Sequence, residues 1–165
     1  MLIEKLIQVI RSGGTEAHDA ALALGLLIER EKVNRPNPAD DGGIREILGD
    51  ELANRRLSQM ELNTAVDELI HYIDETLEPD SMAVWALTKS YEPRILPHLM
   101  ALLDRVINDT TQENLTYQTL LGIINIGIPS SYKDLSLAEI RKASEHGHGQ
   151  VRETATRYLE NYSQI

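Results

Sequence analysis

Apolar residues recur along this chain at intervals of three and four, the spacing of one face of an α-helix. Leu2, Leu6, Ile7 and Ile10 form the first such set, and Ser12-Gly13-Gly14 stops it. Thr15-Glu16 opens a second helix that carries Leu22, Leu24 and Leu27 to about Lys32. Residues 33–43, with two prolines, two glycines and an Asp pair, read as an irregular loop. A third helix, Ile44 to about Arg56, places Ile44, Ile47, Leu48 and Leu52 on one face. Ser58-Gln-Met-Glu61 has the form of a capping box, in which Ser and Glu reciprocally satisfy free N–H groups. It predicts a helix over 59–77 that buries Leu62, Val66, Leu69, Ile70 and Ile73 and ends before Pro79.

The stretch from Met82 to Asp104 holds the end of one helix (Ala83, Val84, Leu87) and the start of the next (Ile95, Leu99, Leu102, Leu103). Glu92-Pro93 sits between them, where a proline can open a helix because its missing N–H would have no partner anyway. Thr110-Thr-Gln-Glu113 reads as a second capping box, for a helix through Leu115, Leu120, Ile123 and Ile124 that Gly127 and Pro129 end. Ser136-Leu-Ala-Glu139 reads as a third, for a helix ending at Gly147, and a last helix runs from about Gly149 to Tyr162. No segment alternates as a strand does. The pattern predicts an all-α chain of eight or nine helices.

The helices repeat. Taking a core residue of alternate helices as a marker, Leu24, Leu52, Leu87, Ile123 and Leu159 are separated by 28, 35, 36 and 36 residues. Four positions earlier stand Ala20, Leu48, Ala83, Thr119 and Ala155; eight earlier stand Glu16, Ile44, Pro79, Leu115 and Val151. A period in this range belongs to stacked helical units, none of which can bury its own apolar face alone. The segment His148-Gly-Gln-Val151-Arg152-Glu-Thr-Ala155-Thr-Arg-Tyr-Leu159 resembles the second helix of a HEAT repeat, in the short form common in bacterial HEAT-like proteins. Ile44-Arg45-Glu-Ile-Leu48 is a weaker copy, and Ala86 to Leu99 is similar to the family's inter-repeat turn. The resemblance implies one domain over 1–165, a short right-handed α-solenoid of HEAT-like helix pairs. The Trp-Leu-Gly-Tyr pattern of tetratricopeptide repeats and the Thr-Pro-Leu-His of ankyrin repeats are both absent from the sequence.

Composition narrows the chemistry. With no Phe, one Trp and six Tyr, the core must be built from Leu, Ile, Ala and Val. The net charge is −10, and it is uneven: residues 1–90 carry 9 Lys/Arg against 17 Asp/Glu, residues 91–165 carry 7 against 9. Such a surface repels phosphate backbones and anionic bilayers, so neither nucleic acid nor membrane is an expected partner. The absence of cysteine excludes disulfides, thiolate nucleophiles and thiolate zinc sites. It also fits a reducing cytoplasm, the expected location. The N-terminus has an early acid and no long apolar run, so no signal peptide is expected.

The candidate site lies on the fourth helix. Its polar face carries Thr64, Asp67, His71, Asp74, Glu75 and Glu78, opposite Leu62, Val66, Leu69 and Ile73. Asp67, His71 and Glu75, spaced i, i+4, i+8, can meet a basic partner or chelate a cation; a merely solvated face is the bland alternative. Trp85 stands two residues before its marker, where Leu22, Asp50, Leu121 and Arg157 occupy the equivalent positions. In the repeat geometry it borders the inner surface, as a partner anchor or as a ring packed between repeats. Glu145-His146-Gly-His148 looks like a ligand cluster, but cationic His146 at a helix C-terminus explains it without metal. There is no nucleophile elbow, and Asp41-Gly42-Gly43 lacks the Lys-Ser/Thr of a phosphate loop.

These features predict a non-catalytic protein-interaction module without cofactor or metal. Its partner-binding residues are Asp67, His71, Asp74, Glu75, Glu78 and Trp85, and its partner is a basic protein. The sharpest form of that expectation is an immunity or inhibitor protein that neutralises a basic toxin or nuclease. The competing expectation is a HEAT-like metal-dependent enzyme or lyase-type protein using His71, His146 or His148.

Overall fold

A computed structural model describes residues 2–32, 45–46, 49–50 and 53–163. The loop expected at 33–43 lies outside the described residues, as do the expected core positions Ile44, Ile47, Leu48 and Leu52. All regular structure among the described residues is helical, and no helix is long and apolar enough to cross a membrane. The chain divides into two compact units, Met1–Tyr91 and Glu92–Ile165.

The first unit contains α1 (Leu2–Ser12), α2 (Thr15–Lys32), α3 (Gln59–Glu75) and α4 (Ser81–Thr88). Helix α1 buries Ile3, Ile7 and Ile10 and leaves Leu2 and Leu6 half-exposed, so the inward stripe is turned from the one the leucines suggest. Helix α2 faces the core with small residues: its Ala17, Ala20, Ala21, Ala23 and Gly25 are all buried. Small residues let neighbouring backbones approach, and α2 packs against both α1 and α4. The first capping box forms as expected: Glu61 N donates to Ser58 Oγ and Ser58 N to Glu61 Oε1, both at 3.1 Å. Helix α3 stops at Glu75, two residues short of the predicted end, because Thr76 turns extended (φ −110°, ψ 124°). Asp80 then caps α4 by accepting from Met82 N at 2.8 Å, while its own N–H donates to Tyr72 Oη at 2.8 Å.

The second unit contains α5 (Leu96–Val106), α6 (Glu113–Gly122), α7 (Lys133–His146) and α8 (Gly149–Tyr162). Pro93 opens a short 3₁₀ turn that leads into α5, as its position predicts. The other two predicted capping boxes do not form. Asp109 caps a 3₁₀ turn at Thr110–Gln112, and the carboxylate of Glu113 reaches away to the backbone N–H of Gln150 at 2.7 Å. Helix α7 begins three residues before Ser136, which is wholly buried against Gly127. After Gly122 the chain winds as a π-helix over Ile123–Gly127, and that wider turn buries Ile126 and leaves Ile124 half-exposed. A π turn advances the face by an extra residue, which no 3.6-residue period anticipates.

Candidate functional site

Helix α3 carries Glu61, Asp67, Glu68, Asp74 and Glu75 and no Lys or Arg. Its core side, with Leu62, Ala65, Val66, Leu69, Ile70, Tyr72 and Ile73, fixes which carboxylates can face water. The structure sorts the expected residues into three groups.

Asp67, His71 and Asp74 lie at i, i+4 and i+7 and are all exposed, a single outward stripe. Glu75 does not belong to it. Arg11 of α1 donates through Nη1 to Glu75 Oε2 at 3.0 Å and through Nη2 to Glu68 Oε2 at 3.5 Å, so Glu68 and Glu75 form the side of α3 that meets α1. Thr64, expected on the outward face, is half-buried at this junction. It lines, with Ile3, Glu4, Ile7, Gln8, Arg11 and Glu68, a cavity of about 340 Å³. The spacing Asp67–His71–Glu75 therefore does not become a chelating triad. No group of three His, Asp or Glu residues placed to hold a metal ion occurs among the described residues.

Glu78 is exposed, but it lies past the end of α3 rather than on its register. Beside it stands Leu77, 82% exposed and the most exposed large apolar residue among those described. Sequence reasoning missed Leu77 as a site residue by drawing it into the helix. Leu77 continues the i, i+4 spacing of Leu69 and Ile73, so periodicity places it on the core face; the signal that could have found it is Pro79 two residues later, which disfavours helix at the residues just before it.

Trp85 is half-buried in α4, and the six-membered part of its ring lies against the Gly25 backbone in α2, where a side chain of any size would collide with it. Lys89 Nζ sits 4.9 Å from the ring centroid, a cation–π arrangement. The ring is thus first a packing element between α2 and α4, with one edge left to solvent. His146 and His148 fall at two different helix ends, the last residue of α7 and the residue before α8. Arg152 donates from Nε and Nη2 to the carbonyls of Ser144 (3.1 Å) and Glu145 (3.0 Å), satisfying the α7 C-terminus.

At the far end of α2, Glu31 accepts from Arg56 Nε at 2.8 Å and from Leu57 N at 3.0 Å. The Arg56 guanidinium holds the Glu31 carboxyl below the ordinary carboxylate range against the opposing effect of burial. Burial pushes the Glu139 carboxyl of α7 the other way, upward, although Lys142 donates to it at 3.0 Å. No family model matches the chain, and no curated protein or solved structure is significantly similar to it.

Proposed function

We propose that this chain is a non-catalytic protein-binding module whose binding surface is the outward side of α3 and the turn after it. The observation that carries this reading is Leu77, 82% exposed just past the end of a helix with five carboxylates and no Lys or Arg. An apolar knob next to Asp74 and Glu78 gives a partner something to bury, and the acidic stripe steers a basic partner toward it. Asp67, His71, Asp74, Leu77 and Glu78 are the contact residues; Glu75 contributes through its hold on Arg11, and Trp85 offers only an edge. The sharpest form of the proposal is an immunity or inhibitor protein that covers the cationic site of a toxin or nuclease.

The helices are proposed to follow the HEAT-like repeat and stack as a short right-handed solenoid. Burial supports three of the markers: Leu24, Leu87 and Ile123 are fully buried, as are Ala83, Thr119 and Ala155 four residues before a marker, whereas the last marker, Leu159, is half-exposed. The positions two before them, Leu22, Asp50, Trp85, Leu121 and Arg157, are all half-exposed or exposed.

The test is affinity capture with the wild-type chain and with Asp67→Lys/Asp74→Lys and Leu77→Ser variants, each first checked for wild-type helicity and melting. A partner held by wild type, released by moderate salt and lost from both variants supports the reading. Capture that neither salt nor the variants disturb removes the α3 face from it.

A further inference from the structure

The cavity between α1 and α3 is lined by polar groups that the fold leaves uncommitted. Ile3 and Ile7, both buried, line it from the core side. Arg11 is held by Glu75 at 3.0 Å and by Glu68 at 3.5 Å. That longer contact is the only polar one the Glu68 carboxylate makes among the described residues. Thr64 has none. Elsewhere in this chain a threonine inside a helix turns its hydroxyl back along the backbone: Thr116 and Thr119 donate to the carbonyls of Gln112 and Leu115, each at 2.8 Å. The Thr64 hydroxyl makes no such bond, and the Gln8 side-chain amide has no partner among the described residues either.

These groups set the chemistry of an occupant. Glu68 offers a carboxylate oxygen, Thr64 a hydroxyl oxygen and Gln8 an amide oxygen, all acceptors around one cavity. A primary ammonium carries N–H donors and no acceptor, and it can spend one donor on each. A quaternary ammonium has the charge without the donors. A carboxylate ligand would meet Glu68, and the Arg11 guanidinium beside it is already shared between Glu68 and Glu75. The walls are the methylene stems of Gln8, Arg11 and Glu68 and the methyl of Thr64, so the rest of the occupant is apolar.

We propose that the cavity between α1 and α3 is a receptor for a small primary amine, an apolar body bearing one protonated –NH₃⁺ group. Glu68 takes its charge, and Thr64 and Gln8 take its remaining N–H groups. A lysine side chain of a bound protein shares that chemistry. The cavity, about 340 Å³, falls in the range of small-molecule sites, about 300–1,000 Å³, which assigns it to the free amine. Thr64 and Glu68 lie on the α1 side of α3, apart from the outward stripe of Asp67, His71 and Asp74. The fate of this site therefore leaves the proposal for that stripe untouched.

The experiment is a titration of the full chain with ¹³C-labelled isoleucine methyl groups, following Ile3 and Ile7 at constant ionic strength. The probes are benzylamine, benzyl alcohol, benzyltrimethylammonium, sodium benzoate and acetyl-lysine methylamide, the aromatic ring supplying the shift. The expected result is saturation by benzylamine, with benzyl alcohol and benzyltrimethylammonium each about fivefold weaker and no saturation by benzoate. Glu68→Gln should weaken benzylamine about fivefold and leave benzyl alcohol unchanged. Thr64→Leu, which fills the cavity with a better helix former, should abolish saturation without lowering the melting temperature. Absence of saturation by benzylamine, an equal response to the alcohol, the quaternary ion or benzoate, or unchanged binding in Thr64→Leu overturns the proposal. Saturation by the lysine derivative alone overturns the free amine in favour of a partner's side chain. If Thr64→Leu does not fold, the probe series on the wild-type chain and on Glu68→Gln decides by itself.

Discussion

The carboxylate of Glu113, the first residue of α6, accepts from the backbone N–H of Gln150 at 2.7 Å, 37 residues later in the chain. Helix α8 therefore begins under a cap supplied from another helix, while its own N-cap residue, His148, makes no side-chain cap bond. Removing that carboxylate takes away the partner of the Gln150 N–H in the first turn of α8. Glu113→Ala should cost about 1 kcal/mol, read from urea unfolding. His148 already has the extended backbone of an N-cap (φ −126°, ψ 154°). Introducing a local cap with His148→Asp should then recover most of the loss, and failure to recover it would show that Glu113 acts by packing rather than capping.

Gly25 and Trp85 mark a close approach between α2 and α4. A Cβ at residue 25 would lie 2.8 Å from Trp85 Cε3 and 3.0 Å from Ala86 Cα. Gly→Ala inside a helix ordinarily stabilises by up to about 1 kcal/mol. Here overpacking opposes it, and the backbone contact cannot yield as a flexible side chain would. Gly25→Ala should lower stability by about 1–3 kcal/mol. Because Trp85 is the only tryptophan in the sequence, its emission should move to longer wavelength as the ring is pushed out. An unchanged spectrum and a higher melting temperature would contradict the packing described.

Glu31 and Glu139 should respond to pH with opposite signs. The folded state depresses Glu31, chiefly through Arg56, from an ordinary value of 4.5. Its charge therefore stabilises the fold above that pH, and the contribution is lost as pH falls through the depressed value. Glu31→Gln should cost about 1–2 kcal/mol at pH 7, and the gap should close in acid. Glu139 is raised from 4.5, chiefly by burial, with the Asp104 carboxylate adding to the rise. Its ionisation opposes folding as pH climbs past 4.5, so Glu139→Gln should be neutral or stabilising at pH 7, with no benefit in acid. Unfolding free energies of both variants across pH 3–8 check the pair, and equal signs at neutral pH would refute it.

Ser136 and Gly127 make a third close pair, with the Ser136 Cβ 2.8 Å from where a Cβ on Gly127 would stand. The Ser136 hydroxyl is buried without a partner. Ser136→Ala should therefore cost nothing measurable, whereas a capping serine would lose about 1 kcal/mol. Gly127→Ala should cost about 1–3 kcal/mol by steric conflict. Thermal melts of the two variants distinguish the roles at once.

What the sequence determined by itself is the helical character of the chain, most helix limits, and most of the residues that face inward. Those follow from local rules: a 3.6-residue apolar period, the Ser58–Glu61 box, and Pro93 at a helix entrance depend on neighbours a few residues away. The tertiary structure decided where the polar side chains go. Glu113 fits a capping-box pattern but caps a distant helix, Ser136 fits one but is buried, and Glu75 leaves the outward stripe for Arg11. Short-range patterns cannot rank a partner three residues away above one that folding brings in from 37 or 64 positions off. The exposed Leu77 and the buried Arg30 in the last turn of α2 belong to the same class. Each depends on what the rest of the fold leaves uncovered or covered, a property of packed surfaces that no periodicity encodes.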